Sequence, residues 1–248
     1  MKFNGRNQYV SPTAILGENV KLGDNVAIYD NVTIGDNSII ANDCVIGEPT
    51  SDYYHSEAYA NTPTIIGSGA LVRSHSIIYA GVTIGAHFQS GHRITIRENT
   101  VIGNNCRIGT GCDLQGFLTI GNYCQLHSSV HLCQFSRLGN FVFIYPNVVL
   151  ANDTHPPTEI VKGPEIGDYT QIGIQSSIIG TIRIGENCLI GAGSVLSKDF
   201  EDFSFIIGSP ATRKSDVREL IGQNGKPLYP WKTRFSRGMP WADLPSNG

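Results

Sequence analysis

From Leu16 onward an aliphatic side chain recurs at every sixth position. One block runs Leu16, Leu22, Ile28, Ile34, Ile40 and Ile46, a second runs from Ile66 to Leu150, and a third from Ile166 to Leu196. Of the 27 positions so defined, only Ser90 is not aliphatic. A helix with 3.6 residues per turn cannot hold a period of six on one face, whereas short strands joined by tight corners can. A second rule runs beneath the first. The residue after the aliphatic is often glycine, as at Gly17, Gly85, Gly103 and Gly121, which suits a tight corner. The fourth residue after it is usually small or β-branched, as at Val20, Val26, Ser76 and Ser194. The pattern predicts an all-β chain wound as a parallel β-helix.

Two stretches interrupt the count, at 47–65 and 151–165. The first is two residues longer than one coil, and the second takes the place of two hexads. Loops on a rigid scaffold are where binding residues concentrate. After Leu196 the period decays. Residues 1–200 are therefore expected to form the β-helix, and 201–248 a capping segment and tail. Within the latter, Ser215–Ile221 is expected to form a short helix over the open end, since an exposed sheet edge invites aggregation. The aperiodic tail is expected to lie extended on the surface or on a neighbouring subunit.

Composition narrows the function classes. Only 16% of the 248 residues are charged, the net charge is −3, and no run of Lys or Arg occurs. Nucleic acid and anionic membrane surfaces thus find no electrostatic footprint. No apolar stretch approaches the 18 residues of a membrane span, and the N-terminus lacks a signal-peptide core, so a cytoplasmic protein is expected. Five of the six cysteines (Cys44, Cys106, Cys112, Cys124 and Cys188) occupy the fourth slot of a hexad. That slot points inward and suits a small buried thiol. Cys133 falls at a corner and is expected to be exposed.

The hexads resemble those of the hexapeptide-repeat proteins over about residues 11–215. That resemblance implies a left-handed triangular coil of 18 residues, hence about nine coils, in which positions 18 apart stack. Three rows of corners result. The first, after Ile84 and its equivalents, is uniformly glycine-first. The second reads Arg73-Ser74, Gly91-His92, Gly109-Thr110, His127-Ser128 and Tyr145-Pro146. The third reads Tyr79-Ala80, Arg97-Glu98, Gln115-Gly116, Cys133-Gln134 and Ala151-Asn152. Two corners thus exchange glycine for large polar groups, and Ser74 is expected directly beneath His92. The departure at Ser90 is read as a relaxation of the repeat where these groups begin. Arg73, Ser74, His75, His92, Arg97 and Glu98 are the candidate site.

The closing "IGAGSVLSKDF" and "IIGSPATRK" resemble the acyl-donor end of hexapeptide-repeat acyltransferases. The resemblance implies coenzyme A binding at Gly173, Ala192, Lys198, Arg213 and Lys214, with small residues against the pantetheine arm and cations on the phosphates. The segments "VRSHSIIYAGVTIGAHFQSGHRITIREN" and "ANDTHPP" are similar to the branch that acylates the amine of dTDP- or UDP-linked amino deoxy sugars for surface polysaccharide. Members are homotrimers with active sites between subunits. The implied co-substrate is an acyl-CoA, acetyl-CoA by default, with no permanently bound cofactor or metal. Arg73, Ser74, His75 and Arg97, with Asn152 and Asp153 of the second loop, would bind the sugar nucleotide. His92 with Glu98 would take the amine's proton, His155 and His127 being rivals and the leaving thiolate an alternative acceptor. O-acetylation by the same fold, a carbonic-anhydrase-like zinc site drawing on His87, His92, His127, His131 and His55, and a non-enzymatic platform are the alternatives.

Overall fold

The computed structural model describes residues 5–159 and 161–242. The six-residue period becomes a left-handed parallel β-solenoid of two- to six-residue strands in three sheets. The sheets form the three faces of a prism. Face A runs from the second corner to the third, face B from the third to the first, and face C from the first to the second. They hold ten, nine and eleven strands respectively. The prism therefore runs one to two coils beyond the nine expected, because Tyr9–Val10 below and Ser204–Gly208 above join it without belonging to the strict repeat.

Register follows the arithmetic. Thr95 pairs with Asp113 and Asp113 with His131, each 18 residues on. The aliphatic of each hexad points inward, and Ile28, Ile34, Ile40, Ile46, Ile78, Ile96 and Leu114 are fully buried. Corners turn through a left-handed residue, often Asn, as at Asn19, Asn25, Asn31 and Asn37 with φ of 56° to 59°. Asn tolerates that region because its short polar side chain bonds locally. Along the first corner the amides form a ladder. Asn104 Oδ1 accepts from the Ala86 N–H, Asn122 Oδ1 from Asn104 and Asn140 Oδ1 from Asn122, at 2.8–2.9 Å.

The fourth slot is buried as expected. Burial pushes the thiols of Cys44, Cys112 and Cys188 up to about 11, which keeps them unreactive. Cys133, expected at the surface, is also buried, its sulfur 3.2 Å from Ser136 Oγ. Hydroxyls in this slot need a partner. Thr170 has two, donating to the Gly185 carbonyl at 2.8 Å and accepting from the Cys188 N–H at 3.0 Å. Thr100 Oγ1 is buried with no partner among the described residues. Replacing an unsatisfied buried hydroxyl with a methyl removes a desolvation cost of about 1–3 kcal/mol. Thr100→Val is accordingly expected to stabilise the chain, and Thr170→Val to destabilise it, in urea unfolding.

Both interruptions take a different form from the one counted. Ile46 pairs with Ile78, and Leu150 with Ile178. The extra residues are therefore inserted between the face A strand and the next face B strand, and neither loop replaces whole hexads. Both loops spring from the third corner. The first holds a 3-10 turn at Ser51–Tyr54.

The upper end is closed without the expected helix. Ala211–Asp216 folds back antiparallel on Ser204–Gly208, and only a 3-10 turn, Val217–Glu219, follows. The open edge above face C takes a further strand in place of a helix. The tail then crosses its own prism over face C. Trp231 packs 4.8 Å from Phe143 and its Nε1–H donates to the Tyr169 carbonyl, while Tyr229 Oη donates to Gln171 Oε1 at 2.6 Å. With Val217 and Met239 these residues make a second apolar cluster.

Candidate functional site

The second corner forms one continuous edge. Ser74 lies directly beneath His92, its Oγ 2.8 Å from His92 Nδ1. Two coils higher than His92, His127 stacks on Tyr145 with centroids 4.9 Å apart and planes at 11°. Arg73 and His75 are exposed beside Ser74, and His75 Nε2 lies 3.8 Å from Asp43 Oδ2.

Ser90 has a structural role that the polar corners alone do not explain. Phe88 fills the fourth slot just before it and is fully buried. The small serine then occupies the aliphatic slot two residues on, so a large and a small side chain have exchanged places. The Ser90 hydroxyl accepts the Arg73 N–H at 2.8 Å, in the place where the other coils use a main-chain carbonyl, and donates to the Gly91 carbonyl. The exception therefore serves packing and the second corner together.

Glu98 does not meet His92. It stands on the third corner, across the width of face A, and accepts from Arg97 Nε and Nη2 at 3.0 and 2.9 Å. Arg97 lies 5.6 Å over the Tyr79 ring. The expected His92–Glu98 pair is thus replaced by Ser74–His92 on one edge and Arg97–Glu98 on the other.

Between those edges, face A presents Thr95, Asp113, His131 and Val149 in register. Asp113 Oδ2 lies 3.3 Å from His131 Nδ1 and accepts from Gln115 Nε2 at 2.5 Å. His131 and Asp113 keep 39% and 41% of their side-chain surface exposed. Sequence reading missed this pair because stacking was applied to corners only. The same 18-residue rule, applied to strand positions, places Asp113 under His131.

The second loop leaves the third corner one coil above His131. Asp153 organises it, accepting from the N–H groups of His155 and Thr158 at 3.0 and 2.8 Å. Burial works against this carboxylate, but the hydrogen bonds from Thr158 and His155 prevail and hold it below its usual range. The Asn152 carbonyl accepts the Lys162 N–H, and His155 is exposed.

The expected donor residues divide. Gly173 and Ala192 stack at the upper end of the second corner, where a β-carbon on Gly173 would come within 2.7 Å of the Ala192 nitrogen. The Gly208–Ala211 turn closes above them, the Gly208 N–H donating to Ser194 Oγ. Arg213 and Lys214 lie on the antiparallel strand over face C, with Arg213 Nε donating to Ser204 Oγ at 3.2 Å. Lys198 is elsewhere, on the third corner after Val195–Leu196, 5.8 Å over the Phe200 ring. No three His, Cys, Asp or Glu side chains gather as a metal site among the described residues, and His87 and His92 sit at opposite ends of one strand. No helix among them is long and apolar enough to cross a membrane.

The chain is similar to several known proteins. The family model for the bacterial transferase hexapeptide, six repeats, matches residues 13–48 and 163–198. A serine acetyltransferase of Bacillus subtilis is 29% identical over 173 residues, covering 68% of this chain and 54% of that protein. An acyl-[acyl-carrier-protein]–UDP-N-acetylglucosamine O-acyltransferase of Campylobacter concisus is 25% identical over 208 residues, covering 84% and 64%. The chain thus spans between half and two thirds of the length of these relatives. Among solved structures, the Arabidopsis UDP-N-acetylglucosamine acyltransferase superposes with a TM-score of 0.70 at 18% identity, over 87% of this chain and 74% of that one. At that identity the likeness is one of fold.

Proposed function

We propose that this chain, whose repeats match the bacterial transferase hexapeptide model over residues 13–48 and 163–198, transfers an acyl group from a coenzyme A thioester to the amine of a nucleotide-linked amino sugar. One observation carries the reading. A single edge, the second corner, runs from the polar Ser74–His92 stack up to the small residues Gly173 and Ala192 and the Gly208–Ala211 turn. Face A borders it, and the two loops of the third corner stand across that face. A pantetheine arm laid along small corner residues brings its thioester down to the polar part of face A. The sugar nucleotide is held from the other side by Arg97, Asn152 and the second loop.

The chemistry needs three things. The amine must be unprotonated to attack, the carbonyl oxygen needs a donor as it becomes an oxyanion, and the thiolate must leave. The glycine N–H groups of the corners already donate to the next coil, so the oxyanion's donor would come from a main-chain N–H outside that ladder or from a side chain bordering face A. Within the donor set, Ala192 presents a small exposed side chain, Gly173 lets the Ala192 coil approach closely, and Arg213 and Lys214 provide charge for phosphates. Assembly of three chains would place each face A against a neighbouring prism.

Coenzyme A and acetyl-CoA are expected to bind at one site per chain in calorimetric titration. Ala192→Trp, which fills the exposed corner, is expected to weaken that binding at least tenfold, about 1.4 kcal/mol, without lowering the unfolding midpoint. Absence of binding at millimolar coenzyme A removes the proposal.

A further inference from the structure

We infer that the second corner carries a nucleotide subsite on its face C side, where the open face of His127 takes a uracil or thymine ring and Arg73 and Arg107 take the diphosphate. The inference rests on the proposed acyl transfer and places the acceptor's nucleotide.

The subsite begins as a break in the first column of that corner. Residues 18 apart stack, so the column reads Arg73, Gly91, Gly109, His127 and Tyr145 from below upward. Two glycines therefore leave a notch two rungs tall between a guanidinium and an imidazole. The coils pass too closely there for any side chain. A β-carbon on Gly91 would lie 2.3 Å from the Thr110 nitrogen, and one on Gly109 2.4 Å from the His127 carbonyl carbon. The notch belongs to a cavity of about 250 Å³ that Gln89, Arg107 and Gln125 line from face C. These three stand in register, Gln89 beside Arg107 and Arg107 beside Gln125. On the far side the tail comes close, where a β-carbon on Gly238 would lie 3.5 Å from Arg107 Nη2.

The ring position follows from what His127 lacks. It stacks on Tyr145 above, with planes at 11° and centroids 4.9 Å apart. One face of the imidazole is thereby used, and the other looks down on a glycine rung. A flat ring laid there continues the stack, as bases do on the aromatic platforms of single-strand binders. The rim suits one kind of ring. Gln89 and Gln125 end in carboxamides, each with an acceptor and two donors, and Arg107 offers donors only. Uracil and thymine present two carbonyl acceptors flanking one N–H, and such a set matches that edge.

The phosphate position follows from free charge. The side chains of Gln89, Gln125, Arg73 and Arg107 make no hydrogen bond or ion pair among the described residues. By contrast, Arg6, Arg97, Arg213 and Arg218 each hold a carboxylate. Two exposed, unpaired guanidinium groups at one notch are matched to the paired oxygens of a phosphate. Arg73 immediately precedes Ser74, whose Oγ lies 2.8 Å from His92 Nδ1. A diphosphate held at Arg73 thus delivers its sugar around the corner to the Ser74–His92 edge and onto face A.

Calorimetric titration with UDP, dTDP and adenosine 3′,5′-bisphosphate tests the subsite without turnover. UDP or dTDP is expected to bind at one site per chain. His127→Ala should weaken that binding at least about fivefold, and His127→Phe, which keeps a flat ring and takes no proton, should retain it. Arg73→Ala should weaken it at least about tenfold, the loss of a charged hydrogen bond. Both residues are exposed, so urea unfolding midpoints should not move. Adenosine 3′,5′-bisphosphate, the nucleotide part of coenzyme A, should not displace UDP. No binding of UDP or dTDP at millimolar concentration, full affinity in His127→Ala, or displacement by adenosine 3′,5′-bisphosphate overturns the inference. Thiol release from acetyl-CoA with a nucleotide-linked amino sugar separates the subsite from the reaction. A sugar-nucleotide KM unmoved by His127→Ala in an active enzyme overturns the subsite alone. UDP binding that depends on His127 and Arg73, with no thiol release, supports the subsite and condemns only the proposed reaction.

Discussion

Phe88→Ala is expected to destabilise the prism by about 3–5 kcal/mol, a large part of the stability of an ordinary domain. Phe88 is the largest side chain among those wholly excluded from solvent. It stands where most other coils place Val, Ser or Cys, so no neighbour is shaped to fill the void it leaves. The cost combines lost transfer energy with a cavity lined by stiff β-branched residues. Ser90→Leu is expected to be destabilising too, by about 1–3 kcal/mol of overpacking and a further cost for the Arg73 N–H that the hydroxyl now satisfies. The informative experiment is the cycle. Phe88→Val with Ser90→Ile restores the ordinary hexad, so the double variant should be more stable than the sum of the singles predicts, by roughly 0.5–3 kcal/mol. Strict additivity in urea unfolding would show that the two side chains do not share one packing volume.

The second large effect lies in the tail. Trp231 is buried and joins four features: the Phe143 ring, the Phe235 ring, the Tyr169 carbonyl and the Trp241 ring. Truncating a buried Trp costs about 3–5 kcal/mol. Here the loss falls on a segment that rests on the solenoid without belonging to it, so local release should precede global unfolding. Trp231→Ala is expected to make the segment after Ile221 susceptible to protease while the β-helix retains its unfolding midpoint to within a few degrees. Loss of the whole fold in Trp231→Ala would show that face C needs its cover to form.

The parts of the molecule that repeat could be read from the chain. The period of six gave the three faces, the inward aliphatics and the buried cysteines, because every coil poses the same steric problem and solves it alike. The stack of Ser74 under His92 followed from the same arithmetic. Two features escaped it. Counting residues through a loop does not say which strands pair across it, so the common origin of both loops at the third corner became visible only from the pairing of Ile46 with Ile78 and Leu150 with Ile178. The tail escaped because its partners lie 58 and 62 residues away and leave no periodic trace. The closing hairpin in place of a helix is a tertiary choice as well. The segment at Ser215 has mixed propensity, and an open sheet edge decided it.

Within the site, long side chains made the difference. The backbone register puts Glu98 one face beyond His92, yet Arg97 at its side captures the carboxylate. The Asp113–His131 pair was available to the 18-residue rule and falls on strand positions, which the corner-based reading passed over. A coil repeat is therefore best searched for chemistry along its faces as well as its edges.

The measurement that tests the account most directly is free-thiol release from acetyl-CoA in the presence of a nucleotide-linked amino sugar, with its hydroxyl analogue run in parallel. The account predicts thiol release that depends on the amine and matches the amide formed by mass. Release with the hydroxyl analogue alone would make the protein an O-acyltransferase, and no release with either would contradict acyl transfer on this edge altogether.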